Sequence, residues 1–225
     1  MKGSEIHNGF AIALAWPETF CKQAGSWYDI LMYYLGINRA GYYKVGHAAI
    51  VLVDDETRSC QYFDFGRYHA PNGFGRVRSA ETDHDLRIET KSLIINRKLG
   101  ISNLRDILSE LHSNSGTHGT GTIYAKTTRI NVDSSISFIK RLQEKEFIQY
   151  GPFNPKGTNC SRFVRRAILV GKPQFMEKLK LLFPLTISPT PMWNLSSVGG
   201  ELYSYDKQKW EPSKILIYKD LELVS

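Results

Sequence analysis

The chain has 225 residues, of which 42% are hydrophobic and 23% are charged, and its formal net charge is +7. This length suits one full-sized domain with a substantial core, and the composition excludes disordered, collagen-like and coiled-coil proteins. The basic residues are spread along the sequence and form no block of like charge. We therefore expect no nucleic-acid partner.

The cysteine content and the hydropathy indicate the compartment. Cys21, Cys60 and Cys160 are an odd number without CxxC spacing, which argues against a disulfide framework and against a zinc ribbon. The N-terminus lacks the pattern of a secretory signal, and no apolar stretch approaches the ~20 residues that span a bilayer. We expect a cytoplasmic protein with reduced thiols and with no metal, other cofactor or membrane span.

The first half of the chain alternates apolar runs with turn residues. It predicts strands over 10–16, 47–53, 59–66 and 86–95 and a helix over 26–35. Residues 67–85 are dotted with glycine and arginine and contain no such run. We interpret them as one long loop, and loops of that length are usually functional or irregularly packed.

The second half is richer in helical periodicity. It predicts helices over 102–111, 134–147, 160–170 and 173–182 and strands over 122–130 and 215–218. Ser102 or Asn103 is the expected cap of the first helix, and Asp133 that of the second. Three prolines in 184–193 indicate an extended surface segment. We expect one α+β domain over 1–225, with 184–225 as a C-terminal extension packed on it.

Cys160 opens the predicted helix over 160–170. It follows Thr158 and Asn159, whose side-chain oxygens are of the type that accepts backbone N–H bonds at a helix start. In the first turn, the helix dipole and the free N–H groups lower the pKa of a thiol and favour the thiolate. Cys160 is therefore a candidate nucleophile, and an inert buried cysteine is the alternative interpretation.

His47 is the best placed of the six histidines to act as a base, because it begins a buried-looking strand. In the next strand Asp64 shares a face with Tyr62, and a carboxylate in an apolar strand is unfavourable unless it is paired. The imidazolium of His47 would pair with it. A salt bridge between Asp64 and Arg67 or Arg76 is the alternative.

Two short motifs carry a family resemblance. GHAAIVLV at 46–53 and NCS at 159–161 resemble those of the NlpC/P60 superfamily of papain-like cysteine enzymes. Histidine before cysteine is the order of its circularly permuted branch, which includes LRAT-like acyltransferases and YiiX-like proteins. A Bacteroidetes-type family in that branch is also similar at YFDFGRY (62–68), GRVRS (75–79), THG (117–119) and GTNCSRFV (157–164).

The resemblance covers about residues 41–170 and implies a papain-like antiparallel sheet with the nucleophile helix packed on it. It also implies hydrolysis or transfer at an amide, ester or thioester. Cys160 maps onto the nucleophile, His47 onto the base and Asp64 onto the orienting position, which is often histidine in relatives. The backbone N–H of Cys160 and the hydroxyl of Tyr43 or Tyr150 are candidate oxyanion donors.

The leading function is that of a peptidase or amidase acting on small, cell-wall-type peptides. The residues expected to bind substrate are Tyr62, Arg67, Arg76, His118 and Asn159. One alternative is an LRAT-like lipid acyltransferase or thioesterase with an acyl substrate. Another is a non-catalytic module whose arginine-rich loop at 67–87 binds an anionic ligand. A metal site of His118 with His69 or with Asp83 and His84 has no supporting spacing.

Overall fold

The computed structural model describes residues 7–22, 38–39, 42–44, 46–96, 100–151, 154, 156–184, 188–206 and 209–212. The α-helices in these residues are α1 (Leu104–Ser113), α2 (Val132–Gln143), α3 (Cys160–Val170), α4 (Phe175–Leu182) and α5 (Pro191–Ser197). Two short 3₁₀ helices span His84–Leu86 and Ser115–Thr117. The helix predicted over 26–35 and the strand predicted over 215–218 lie outside the described residues.

The strands form one large sheet and two small ones. They are β1 (Gly9–Trp16), β2 (Phe20–Lys22), β3 (Asn38–Arg39), β4 (Tyr42–Lys44), β5 (His47–Asp54), β6 (Cys60–Gly66), β7 (Phe74–Arg78), β8 (Ile94–Asn96), β9 (Gly100–Ile101), β10 (Ile123–Ile130), β11 (Ile148–Gln149), β12 (Tyr203–Asp206) and β13 (Lys209–Pro212). Eight of them pair antiparallel in the order β11-β7-β6-β5-β1-β10-β12-β13. The small sheets are β2-β4-β3 and β8-β9.

Strand β1 determines where the helices pack, because its sequence alternates between small and large apolar residues. One face of the sheet carries Ala11, Ala13 and Ala15, and the other carries Phe10, Ile12, Leu14 and Trp16. Helices α2, α3 and α5 lie on the alanine face, where α5 packs against β1 and α3 packs against β5 and β6. Helix α1 covers the opposite face with Leu104, Ile107, Leu108 and Leu111. The expected α+β fold is thus confirmed, with α3 packed on an antiparallel sheet.

Helix α3 has the predicted bounds. The side chain of Asn159 accepts the backbone N–H of Arg162 at 2.8 Å, as an N-cap does, and Gly171 follows the last helical residue. Phe163 and Val164 are buried against the sheet. The cap fixes Cys160 as the first residue of the helix, and the buried apolar stripe fixes which side of the helix faces the sheet.

The interpretation of 67–85 as one continuous loop is wrong. Phe74–Arg78 forms β7, which pairs with β6 so that Arg78 stands opposite Asp64. Val77 is buried on the alanine face, and its neighbour Arg78 is buried on the other. The strand was not recognised because an arginine occupies one of its buried positions. A charged residue can be buried there only because it forms an ion pair.

The strand predicted over 86–95 is also wrong for most of its length, since only Ile94–Asn96 is extended in a sheet. Side chains of α1 bind the backbone that precedes it. The carboxylate of Glu110 accepts the N–H groups of Glu89 (2.7 Å) and Thr90 (3.0 Å), and Asn103 accepts that of Leu93 (2.7 Å). These backbone donors are satisfied without a neighbouring strand.

Two further boundaries differ from the prediction. Asn131, not Asp133, caps α2, and its side chain accepts the N–H of Ser134 at 2.8 Å. The proline-rich segment contains the start of α5, because Pro191 occupies the first helical turn, where no N–H is needed. The strands β12 and β13 extend the sheet where irregular structure was expected. The division into one domain with an extension stays a prediction.

No helix among the described residues is long and apolar enough to cross a membrane.

The cap of α2 gives a first testable prediction. We expect Asn131→Ala to lower the free energy of unfolding by about 1 kcal/mol, since one N–H of the first turn loses its acceptor. Asn131→Asp keeps an acceptor at the same place and should remain close to the wild type. Urea denaturation followed by circular dichroism measures both. Equal losses in the two variants would contradict this assignment of the cap.

Candidate active site

The register of two strands brings His47 and Asp64 together. Ala49 of β5 lies opposite Asp64 of β6. His47 lies two residues before Ala49 on the same face, so it is the diagonal neighbour of Asp64, within reach of a long side chain. The Nε2–H of His47 donates to Oδ2 of Asp64 at 3.2 Å. Both side chains are buried.

The carboxylate of Asp64 receives three more hydrogen bonds. Arg78, opposite it on β7, donates from Nε to Oδ1 at 2.9 Å and from Nη2 to Oδ2 at 2.6 Å. The hydroxyl of Tyr62 donates to Oδ2 at 3.0 Å. A carboxylate bound by a guanidinium fork and by an imidazole has its position fixed on both sides. Asp64 is therefore a rigid support for the His47 ring.

The expected alternative partners of Asp64 lie elsewhere. Arg76 pairs with Asp83 and also donates from Nε to the backbone oxygen of Tyr68 at 2.8 Å. The guanidinium of Arg67 lies over the ring of Tyr150, at 5.3 Å from its centroid. The hypothesis that Asp64 pairs with Arg67 or Arg76 is wrong, because the register of β6 and β7 places Arg78 opposite Asp64 and Arg76 opposite Gly66.

Helix α3 places the sulfur of Cys160 beside His47. The thiol of Cys160 lies 3.9 Å from Oγ of Ser161, and it interacts with the side chain of His47 and the backbone of Ala48, both of which lower its pKa. Cys160 is 8% exposed, His47 is 4% exposed and Asp64 is not exposed at all. The three side chains are buried together, with His47 hydrogen-bonded to Asp64 and in electrostatic contact with Cys160.

The electrostatics of these three side chains favour a thiolate–imidazolium pair. Burial alone lowers the pKa of His47, but the bonds to Asp64 and Cys160 outweigh it and raise the pKa to about 9. Burial raises the pKa of Cys160, yet the hydrogen bond and charge of His47 bring it below the ordinary value. Burial also raises the pKa of Asp64, and the bonds from His47 and Arg78 reverse that effect and lower it. Charges of opposite sign therefore alternate from Cys160 to Asp64.

Aromatic rings line the other sides of His47. The ring of Trp16 lies 5.6 Å from it and that of Tyr68 lies 6.5 Å away, edge-on, both measured between centroids. Tyr68 is held between the guanidinium of Arg78, 3.5 Å from its ring centroid, and the ring of His118, at 4.7 Å between centroids. His118 is exposed, so this stack connects the buried pair to the surface.

The residues expected to bind substrate differ in burial and in their partners. Tyr62 is fully buried, and its hydroxyl serves Asp64. Asn159 caps α3 and donates from Nδ2 to Ser188 at 3.0 Å. Arg67 and Arg76 engage a ring and a carboxylate, as described above. Among the five, only His118 is at once exposed and stacked on a ring that contacts His47. The substrate-binding roles of all five stay predictions.

Cys60 lies in a different environment from Cys160. Cys60 opposes Val53, at the end of β5 far from His47, and burial raises the pKa of Cys60 to about 12. The candidate oxyanion donor Tyr150 stacks on Phe65 at 5.9 Å between ring centroids. The side chain of Tyr43 lies outside the described residues.

Sequence reasoning missed the contribution of Arg78, Trp16 and Tyr68. Arg78 lies within the arginine-rich segment 67–87, and the sequence alone does not identify it as the partner of Asp64. An alternating pattern was present in FGRVR and would have placed Arg78 on the face of Asp64 had β7 been recognised. No group of three or more histidine, cysteine or acidic residues suited to a metal ion occurs in the described part of the chain. The metal site considered from His118 gains no support.

Two comparisons with known proteins, one of the sequence and one of the fold, point to the same kind of protein. The family model described as type VI secretion system effector TseH-like matches residues 11–175. The crystal structure of the type VI secretion system effector TseH is similar, with a TM-score of 0.58 and 19% sequence identity. The match covers 91% of this chain and 97% of that chain. It shows a shared papain-like fold, whereas the Bacteroidetes-type family stays a prediction. A search of curated proteins found no match.

The state of the thiol gives a second prediction. Cys160 should react with iodoacetamide at a lower pH than an ordinary thiol does, because its pKa is lowered by His47. Cys60 should react far more slowly, since its pKa lies at about 12. Mass spectrometry of the labelled peptides over a pH series gives both rates. A Cys160 rate that rises only in the alkaline range would contradict the ion pair.

The buried ion pair gives a third prediction, with its control on the same strand. Arg78→Met should lower the free energy of unfolding by about 3–5 kcal/mol, because the buried carboxylate of Asp64 loses its fork. Arg76→Met removes a more exposed pair with Asp83 and should lower it by about 1 kcal/mol.

Chemical denaturation compares the two arginine variants. The double variant Asp64→Asn with Arg78→Met should regain part of the stability lost by Arg78→Met, because no unpaired charge remains buried. Similar losses for Arg76→Met and Arg78→Met, with no recovery in the double variant, would contradict the role given to this ion pair.

Proposed function

We propose that this chain, which belongs to the type VI secretion system effector TseH-like family, is a cysteine hydrolase that cleaves amide bonds. The observation that carries the proposal is the buried grouping of Cys160, His47 and Asp64, in which His47 is hydrogen-bonded to Asp64, the pKa of the thiol is lowered and that of the imidazole is raised to about 9. A nucleophile, a base and an orienting group are the three parts that this chemistry requires.

The first half of the reaction forms a thioester. The thiolate of Cys160 attacks the carbonyl carbon of the substrate, and the carbonyl electrons move to its oxygen. The free N–H groups at the start of α3, including that of Cys160, are donors suited to this oxyanion. His47 then gives its proton to the leaving amine as the carbon–nitrogen bond breaks.

The second half releases the acid. Neutral His47 removes a proton from water as the oxygen attacks the thioester, and the thiolate departs with the pair of electrons from the carbon–sulfur bond. The imidazolium is formed again, which restores the starting ion pair. Asp64 stays ionised throughout, because Arg78 and Tyr62 hold it, and its charge stabilises His47 each time the ring is protonated.

The substrate class proposed is a small peptide of the cell-wall type. It is supported by the resemblance of GHAAIVLV and NCS to peptidases of the papain-like superfamily and by membership of an effector family. We further propose that the chain is exported as an effector, in keeping with the description of that family. The cytoplasmic location expected from the sequence would then apply to the producing cell before export.

The non-catalytic alternative loses its main support. Two of the arginines in 67–87 that would bind an anion are already engaged by carboxylates of the chain, Arg76 by Asp83 and Arg78 by Asp64. An anionic ligand would have to displace them. No observation favours the lipid acyltransferase or thioesterase over hydrolysis of a peptide.

A fourth prediction tests the proposal. Cys160→Ala should lower kcat on a susceptible peptide by at least about a thousandfold, since no other residue replaces the nucleophile. His47→Ala should have a similar effect, because the thiol then lacks its base. Purified peptidoglycan and its soluble peptide fragments are the substrates, and released amines are followed by mass spectrometry.

The matched control is Cys60→Ala, which removes a buried thiol far from His47 and should retain full kcat. Thermal unfolding checks that each variant is folded. Activity that survives Cys160→Ala in a folded protein would refute the nucleophile. Transfer of a long acyl chain from lipid, with no cleavage of any peptide by the wild type, would favour the acyltransferase instead.

A further inference from the structure

Helix α4 exposes an unusual amount of apolar surface. Phe175 is 73% exposed and Phe183, which follows the helix directly, is 70% exposed. The exposed apolar side chains of this segment are Phe175, Met176, Leu179, Leu182 and Phe183. On a helix their spacing of i, i+1, i+4, i+7 and i+8 places them on one side, which we call the outer face.

The inner face fixes the orientation of the helix. Leu181 is buried in the core, and the carboxylate of Glu177 accepts the hydroxyl of Thr128 at 2.6 Å and the backbone N–H groups of Gln174 and Gly199. These bonds hold α4 to the body of the protein. They also turn its single acidic residue inward, away from the outer face.

The basic residues of α4 lie at the borders of the outer face. At about 100° per residue, Lys178 and Lys180 fall on opposite sides of the apolar stripe, while Glu177 and Leu181 fall behind it. Both lysines are exposed. The outer face therefore combines a central apolar stripe with a positive charge on each side.

We propose that the outer face of α4 docks onto the surface of an anionic phospholipid bilayer. A helix with this distribution lies in the plane of the interface, with phenylalanine and leucine among the acyl chains and the lysine stems reaching up to the phosphates. The net charge of +7 adds a longer-range attraction to an anionic surface. This binding is peripheral and involves no span.

A second copy of the chain is a poorer occupant of the same face. Two outer faces placed together would bring Lys178 and Lys180 of each copy against lysines of the other, with no acidic residue of α4 facing outward to balance them. Like charges at such a contact oppose association, whereas lipid phosphates neutralise them.

Co-sedimentation of the full chain with vesicles provides the test. Vesicles of phosphatidylglycerol and phosphatidylethanolamine should bind the wild type, vesicles of phosphatidylcholine should bind it much less, and added salt should weaken the binding. Phe175→Ser with Phe183→Ser should lower the partition coefficient at least about tenfold, because two large apolar side chains leave the interface. Lys178→Gln with Lys180→Gln should reduce the preference for the anionic vesicles.

The control is Leu93→Ser, which removes a side chain that is 61% exposed elsewhere on the protein and should leave vesicle binding unchanged. Thermal unfolding confirms that the variants are folded, as expected for exposed positions. An absence of wild-type binding to anionic vesicles, or equal losses in the control and the phenylalanine variant, would overturn the proposal. So would a wild-type dimer in light scattering that the phenylalanine variant converts to a monomer.

Discussion

A buried carboxylate is the constraint on which the site depends. Asp64 has no contact with solvent, and an ionised carboxylate there is tolerated only if cations and hydrogen-bond donors surround it. Arg78 supplies one cation from β7, and His47 supplies another from β5. The requirement to neutralise Asp64 therefore favours the protonated form of His47, and the protonated ring in turn lowers the pKa of Cys160.

This constraint links the fold to the chemistry. Three neighbouring strands must keep their register, because a slip of one residue would turn His47, Asp64 or Arg78 to the alanine face. Helix α3 lies on that alanine face. Because His47 is the first residue of β5, Cys160 and His47 come together at the end of this strand. The cap at Asn159 fixes where α3 begins, and the helix packs on β5 and β6, the strands that carry His47 and Asp64.

The parts of the molecule with strong periodicity were predictable from the sequence. The bounds of α3 and the strands that carry His47 and Asp64 followed from apolar patterns and a cap, and these place the proposed nucleophile and the proposed base on separate elements. Strand β7 escaped prediction because its inward residue is an arginine, which reads as solvated unless its buried partner is known. Arg78 could not be assigned to Asp64 before that pairing was seen. The cap at Asn131 was missed because Asp133 is equally suited by type.

The chain belongs to the TseH-like family and shares the fold of TseH. The most direct test of the proposed thiolate–imidazolium pair is an NMR titration of the His47 ring in the wild-type protein. We expect the ring to stay protonated through neutral pH and to titrate at about 9. A ring that titrates at or below the ordinary histidine value of about 6.5 would contradict the thiolate–imidazolium pair.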